Sequence, residues 1–307
     1  MSEHHSPPVS VSTSILSEPH PGVRAQGITR RGFLTKATTA AAVVAGLGVS
    51  GAGVAVLGAE NGKKIPIGLE LYSVREQAAK DLPGVLAAVA KIGYKGVEFA
   101  GYHGRNATEL RKMLDDNGLV ACGTHTGYET VQPAKLDETI EFNRIIGNKF
   151  LIVPWMEGKS KEEWLNHAKL FNEALPKVKK AGMYLGYHAH AHDFTKFDGV
   201  SAWDLFFGTT NPEVVMQLDT SNCCDGGADP VEVLKKYPGR AKTIHVKANG
   251  GGPEAVVGED KVNWKEVFQF CETKGGTKWY VVEHESSKDP LDAVKRSFEA
   301  LKKLGKV

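Results

Sequence analysis

From Lys64 onward, short β-branched or aliphatic runs alternate with longer segments of helical period, and this alternation restricts the chain to repeated βα units around a parallel sheet. Eight strands are predicted, at 65–72, 94–99, 119–124, 149–154, 183–188, 213–219, 242–247 and 278–283. Amphipathic segments lie between them at 82–92, 107–117, 136–146, 161–181, 229–237 and 263–274, and a last one closes the chain at 290–304. The region 199–208 has the least regular helical pattern. Gly93, Gly118, Gly147, Gly182 and Gly275 stand where helices should end, since glycine adopts the left-handed backbone of a C-terminal cap without steric cost. Eight such pairs in roughly 240 residues predict a single (β/α)8 TIM barrel of the α/β class. A doubly wound open sheet would carry a Gly-rich phosphate loop after an early strand; the stretch 249–253 instead follows the seventh strand and lacks a GxGxxG frame.

Ahead of the barrel, Thr29-Arg30-Arg31-Gly32-Phe33-Leu34 precedes an apolar Ala/Gly/Val-rich run from Ala37 to about Leu57, which reads as a twin-arginine export signal. The expected division is therefore a leader and signal at 1–59 and the barrel at 60–307. Residues 1–26, rich in Ser, Pro and His, are expected to be disordered. A membrane anchor is the alternative, because roughly 20 apolar residues cross a bilayer. The run contains no Ile, Phe or Trp, however, and small residues near Ala55 and Ala59 suit a signal peptidase. The expected location is exported and periplasmic, tethered if the signal stays uncleaved, with the twin-arginine machinery as a partner.

The 38 basic and 36 acidic residues become 34 of each once Arg24, Arg30, Arg31, Lys36, Glu3 and Glu18 of the leader are set aside. A balanced barrel has no electrostatic reason to seek nucleic acid or anionic membrane. Cys122, Cys223, Cys224 and Cys271 form no CxxC pair, and buried packing without a structural disulfide is expected.

Active sites of TIM barrels form at the C-terminal ends of the strands, so polar residues there carry functional weight. These are Glu70 on the first strand, Glu98 on the second, His125 after the third, Glu157 after the fourth, and His188 with His190 on the fifth. Asp219 ends the sixth, His245 and Lys247 the seventh, and Glu283 the eighth. Residues two apart on a strand face the same side, so His188 and His190 point together, as do His245 and Lys247. A lone strand-end His is usually a hydrogen-bonded rim residue, and Glu70 or Glu98 could pair with Arg75, Lys95 or Lys247. His188, Asp219, His245 and Glu283 on four consecutive strands are a different matter: imidazole and carboxylate donors without thiolate suit Mn²⁺, Zn²⁺, Co²⁺ or Mg²⁺. His103, His167, His192 and His284 read as structural.

At these residues the sequence resembles the xylose isomerase-like superfamily, the sugar phosphate isomerase/epimerase group that also includes endonuclease IV. The likeness covers about 64–304, and its most specific pieces are YHAHAHDF (187–194), QLDTSN (217–222), GADPVEVLKKYPGR (227–240), IHVK (244–247) and VVEHE (281–285). The resemblance implies one divalent ion, often Mn²⁺, held by four ligands from strands five to eight. Asp219, His245 and Glu283 match directly. The fifth-strand ligand is usually a Glu six residues after a helix-ending Gly; counting from Gly182 gives His188 instead, and whether His188 or His190 is the ligand stays open. A His there argues against the two-Glu mechanism of many epimerases in the group, and the HxH fifth strand resembles inosose dehydratases and 3-keto-glycoside-processing enzymes as much as isomerases. Endonuclease IV fits poorly, since Asn222 stands where it needs a further His.

The resemblance implies proton abstraction next to the carbonyl of a sugar or keto-sugar, through an ene-diolate, leading to isomerisation, epimerisation or elimination. The expected roles are Glu283 or His190 as base, Lys247 or His125 steadying the oxyanion, and Glu157 or Glu70, with Glu98 and Asn222, binding substrate. Folded export lets the cytoplasm choose the metal, which favours Mn²⁺, and an exported enzyme with no basic phosphate clamp argues against a phosphorylated substrate. A secreted sugar-binding barrel without catalysis is the alternative of another class, and barrels of this group often form homo-oligomers.

Overall fold

The computed structural model describes residues 64–307; the leader, export signal and membrane-anchor alternative lie outside the described residues. Eight parallel strands close into a barrel: β1 (Ile67–Glu70), β2 (Gly96–Ala100), β3 (Val120–His125), β4 (Phe150–Val153), β5 (Tyr184–His188), β8 (Val215–Asp219), β9 (Thr243–Val246) and β10 (Trp279–Val282). All eight lie within the predicted runs or one residue beyond them. β10 hydrogen-bonds to β1 and so closes the ring. A two-stranded hairpin, β6 (Lys196–Phe197) and β7 (Val200–Ser201), interrupts the series after β5.

The helices are α1 (Arg75–Ile92), α2 (Ala107–Asp116), α3 (Leu136–Ile146), α4 (Lys161–Lys180), α5 (Ala202–Thr209), α6 (Thr220–Asp225), α7 (Pro230–Lys236), α8 (Trp264–Phe270) and α9 (Pro290–Lys303). Local chemistry sets their starts. Asn106 and Glu109 form a reciprocal capping box on α2, Ser160 caps α4, and Asp289 caps α9 ahead of Pro290. Periodicity alone starts the first helix at 82, but α1 begins at Arg75 and breaks at Asp81, whose side chain accepts from Gly84 N–H and caps a fresh start ahead of Pro83. The least regular segment does form a helix, α5, capped by Ser201. The expected cap at Gly275 falls one residue later, on Gly276 with φ 69°, because a wide turn over Cys271–Gly275 extends α8.

Alternation along the strands separates two apolar regions. Leu185, Tyr187, Met216, Leu218, Ile244, Val246, Tyr280 and Val282 point outward into the main core beneath the helices. Each such side chain contributes about 1.5–3 kcal/mol when fully buried. Their strand neighbours Phe150, Ile152 and Val215, with Tyr184 and Trp279, form a second cluster filling the N-terminal end of the barrel interior. Further along the same interior positions the side chains become polar: Glu70, Glu98, Gln217, Thr243 and His245 are fully buried. The apolar plug closes one end, so the polar groups can meet solvent and ligands only at the other. The four cysteines are free thiols.

Candidate active site and metal centre

The interior face of β8 carries Val215, Gln217 and Asp219 in alternation, and Asp219 lies in register with His245 of β9, while Gln217 lies in register with His188 of β5. Glu283 follows β10 directly. His188, Asp219, His245 and Glu283 each bring one donor atom to a group whose members lie within 4.8 Å of one another. All four are buried. His245 Nδ1 stands 2.5 Å from Glu283 Oε2 and 3.7 Å from Asp219 Oδ2. Asp219 Oδ1 accepts from Asn222 N–H at 2.7 Å, capping α6, but Asp219 Oδ2 is buried with no hydrogen-bond partner among the described residues.

A buried carboxylate oxygen left unpaired is costly. Facing two imidazoles and a second carboxylate, with the Lys247 ammonium 3.9 Å away, it has the surroundings of a cation ligand, and the mixed N/O donor set suits a divalent transition metal. The residues present therefore fit the expected ion.

Glu98 is not paired with a Lys or Arg. Its Oε2 meets His245 Nε2 at 2.6 Å, and its two oxygens accept from the Gln217 amide at 3.0 and 3.1 Å. Gly123 leaves the space its carboxylate fills. Glu70 accepts from Tyr72 N–H through Oε1, while its Oε2 is buried and unpartnered; His125 Nδ1 lies 3.9 Å away. Glu70, Glu98, His125 and His245 thus form a second dense group that shares His245 with the first.

Electrostatics follow from this crowding. Burial, with Glu98 beside it, pushes Glu70 well above the usual carboxylate range. Burial also raises Glu98, but His125, His245 and Gln217 outweigh it and hold the group low. Burial raises Asp219 to about 6 against the pull of Lys247. Glu283 is held well down because Lys247 and His245 overcome its desolvation. Burial and the neighbouring imidazoles press His188 far down, and burial takes His190 to about 4. His245 goes the other way, its desolvation outweighed by hydrogen bonds to Glu283 and Glu98.

Above the donor set opens a cavity of about 530 Å³ lined by Glu70, His125, His188, His190, Asn222 and Glu283, as expected from the strand ends. Lys247 stands at its edge, 3.3 Å from Glu283 Oε1 and 2.5 Å from Glu285 Oε1. Glu98 lies beneath, and Glu157 does not reach the cavity: its side chain is exposed, and its carbonyl accepts from His167. The strand-end reading missed Trp155, Tyr72 and Glu285, which also line the wall. Trp155 and Tyr72, 47% and 44% exposed, are the most exposed aromatic side chains among the described residues. His190 and His192 pack against the Trp155 ring, so His192 supports the wall. Asp193 accepts from Tyr187 O–H and from His190 N–H, fixing the turn that carries His190. Lys247, whose own charge the neighbouring carboxylates stabilise, restrains Glu285, while contact with Glu283 and burial raise Glu285 to about 7.

Residues 86–304 match the family model of the xylose isomerase-like TIM barrel. The chain belongs to this family. An inosose dehydratase of Bacillus cereus is 25% identical over 244 residues, spanning 65% of this chain and 80% of that relative. A sugar phosphate isomerase/epimerase from Parabacteroides distasonis has a solved structure that superposes with a TM-score of 0.69 at 27% identity, covering 78% of this chain and 98% of that one. A probable 3-DHS dehydratase from Bacillus anthracis, at 15% identity and a TM-score of 0.60 over 78% of this chain and 99% of its own, shares the fold.

Proposed function

We propose that the chain is a divalent-metal-dependent enzyme that removes the proton next to the carbonyl of a neutral keto-sugar. The observation that carries this reading is the buried Asp219 Oδ2, without a hydrogen-bond partner, facing His188, His245 and Glu283 on the floor of the cavity. Relatives named as an inosose dehydratase and a sugar phosphate isomerase/epimerase support the substrate class. A cation on these four residues, with Mn²⁺ proposed and Zn²⁺, Co²⁺ or Mg²⁺ as alternatives, would polarise the carbonyl and stabilise the charge left by the departing proton.

The protein's own groups divide the remaining work. His190 is the proposed base: it lines the cavity, and burial keeps its imidazole neutral near pH 7. Glu283 stays ionised between His245 and Lys247 and serves as ligand. Lys247 and His125 steady the developing oxyanion, while Glu70 and Asn222 offer hydroxyl partners. Glu285 is the second proton carrier on the wall. Tyr72 and Trp155 present apolar faces to the C–H face of a sugar ring. The cavity lining holds no Lys or Arg, and Lys247 at its edge is already paired with Glu283 and Glu285, which supports a neutral substrate over a phosphorylated one and accords with the proposed export.

Elimination of water, as in an inosose dehydratase, is the second reading, favoured by a fifth strand that presents His188 in place of a carboxylate. Metal analysis of the purified protein followed by solvent deuterium exchange into keto-sugars, inososes and 3-keto-glycosides tests both. Exchange with return of the sugar supports isomerisation or epimerisation, and loss of water supports the second reading. Sugar bound without any exchange would overturn catalysis and leave a sugar-binding barrel.

A further inference from the structure

We infer that Gln217 is a positioning residue for both histidines in the donor set, fixing the tautomer of His188 directly and the ring orientation of His245 through Glu98. The consequence for metal binding rests on the reading proposed above; the hydrogen bonds themselves do not.

Gln217 is fully buried, and every hydrogen-bonding site of its amide is used. Oε1 faces His188 Nδ1 and His125 Nε2, each at 3.0 Å. Nε2 faces both oxygens of Glu98 and, at 2.6 Å, Thr243 Oγ1. An ionised carboxylate only accepts hydrogen bonds, so the amide must turn its NH₂ toward Glu98; the reversed amide would set three oxygens against one another. The carbonyl is then fixed toward the two rings, and an acceptor there requires a proton on His188 Nδ1 and another on His125 Nε2. Neutral His188 consequently presents Nε2 as its lone pair, the nitrogen left for Asp219, His245 and Glu283.

The second branch runs through Glu98. Held by the Gln217 amide, Glu98 accepts from His245 Nε2 and leaves Nδ1 toward Asp219 and Glu283. A ligating imidazole that donates its other N–H to a carboxylate is a recurrent way of fixing ring orientation and raising donor strength. Here one amide, two residues before Asp219 on the same strand, governs both rings. Its location explains the economy: β8 lies between β5 and β9, so an interior side chain at its middle reaches the histidines of both neighbours.

Long-range ¹H–¹⁵N correlation spectra of the metal-free wild-type protein read the tautomers. His188 is expected with its proton on Nδ1; a His188 protonated on Nε2 alone would overturn the inference. Gln217→Met keeps length and removes the amide. It is expected to lower Mn²⁺ affinity about ten- to a hundredfold, to retain one ion at saturation, and to turn the His188 signal into a mixture of tautomers. A folded Gln217→Met protein with wild-type affinity and tautomers would also overturn it. Should that variant not fold, Glu98→Gln separates the branches: lowered affinity with an unchanged His188 tautomer supports the relay, and unchanged affinity refutes it. If the wild type binds no Mn²⁺, the metal reading fails, while the tautomers of the metal-free protein still decide the role of Gln217.

Discussion

Replacing Asp219 by Asn should raise stability without metal and abolish the stabilisation that metal gives. The introduced amide keeps an oxygen to accept from Asn222 N–H, so the cap on α6 survives. What disappears is a buried carboxyl raised from its ordinary 3.8 to about 6. A carboxyl with a raised folded-state pKa stabilises the fold below about pH 4, and that contribution is lost as pH rises through about 6. By pH 8 the loss amounts to about 3 kcal/mol. Lys247 retains Glu283 and Glu285 as partners, so no new unpaired cation offsets the gain. The metal-free Asn variant should therefore melt above wild type at pH 8, by about 6–12 °C for a domain of this size, and the gap should narrow toward pH 4. Mn²⁺ at a hundred times its dissociation constant should stabilise wild type by about 2.7 kcal/mol, or about 5–11 °C, and leave the variant unmoved. Scanning calorimetry in EDTA and in Mn²⁺, at pH 4 and 8, measures all four states. A variant that keeps the full Mn²⁺ shift, or that melts below wild type in EDTA at pH 8, would refute the assignment of Asp219 as a strained apo carboxylate awaiting a cation.

Three further outcomes are expected. His190→Gln should slow deuterium exchange into substrate about 10²–10⁴-fold while Mn²⁺ titration stays at one ion per chain; an unchanged exchange rate removes His190 as base. Asp193, raised by burial to about 7, stabilises the fold at low pH and loses that contribution as pH rises through about 7. Asp193→Asn should thus gain on wild type by up to about 4 kcal/mol between pH 4 and pH 8, and a difference independent of pH in chemical denaturation would contradict this. Arg240, 6% exposed, donates to the carbonyls of Phe207, Asn211 and Val214 and to Thr210 Oγ1, with its guanidinium over the Phe207 ring. Arg240→Met should cost about 3 kcal/mol by thermal melting and leave the activity of the folded fraction intact.

The barrel was legible because its strands, covered by helices outside and packed inside, read as continuous apolar runs bounded by turn residues. The hairpin at 196–201 was not, since strands of two residues have no period. Nor was α6: its N-cap is Asp219, the same residue that ends β8, so a strand-end reading absorbed the start of the helix. The strand-end rule found most of the residues that line or floor the site because it asks which polar side chain terminates a strand. It misplaced Glu157 because β4 ends at Val153 and the turn beyond it brings Trp155, not Glu157, to the cavity. Gln217 escaped for the opposite reason, lying two residues inside the strand end, where alternation alone would have placed it on the interior face with Asp219.

His188 bears on which reaction the proposed site favours. A fifth-strand carboxylate would give the donor set three negative charges and could also serve as a proton carrier. With His188 the set holds two carboxylates and two imidazoles, which leaves a bound divalent ion with no net charge around it and a stronger pull on a carbonyl oxygen. The proton carriers must then come from beyond the ligands, and the cavity offers two of unlike kind: His190 after β5 and Glu285 after β10. Epimerisation exchanges a proton between two faces and is served by matched carboxylates on either side. Elimination needs a base at the carbon and an acid at the departing hydroxyl, which an imidazole and a carboxyl raised to about 7 are suited to provide. On the proposed reading, the substitution of His for a carboxylate at position 188 thus shifts the balance from proton exchange toward loss of water.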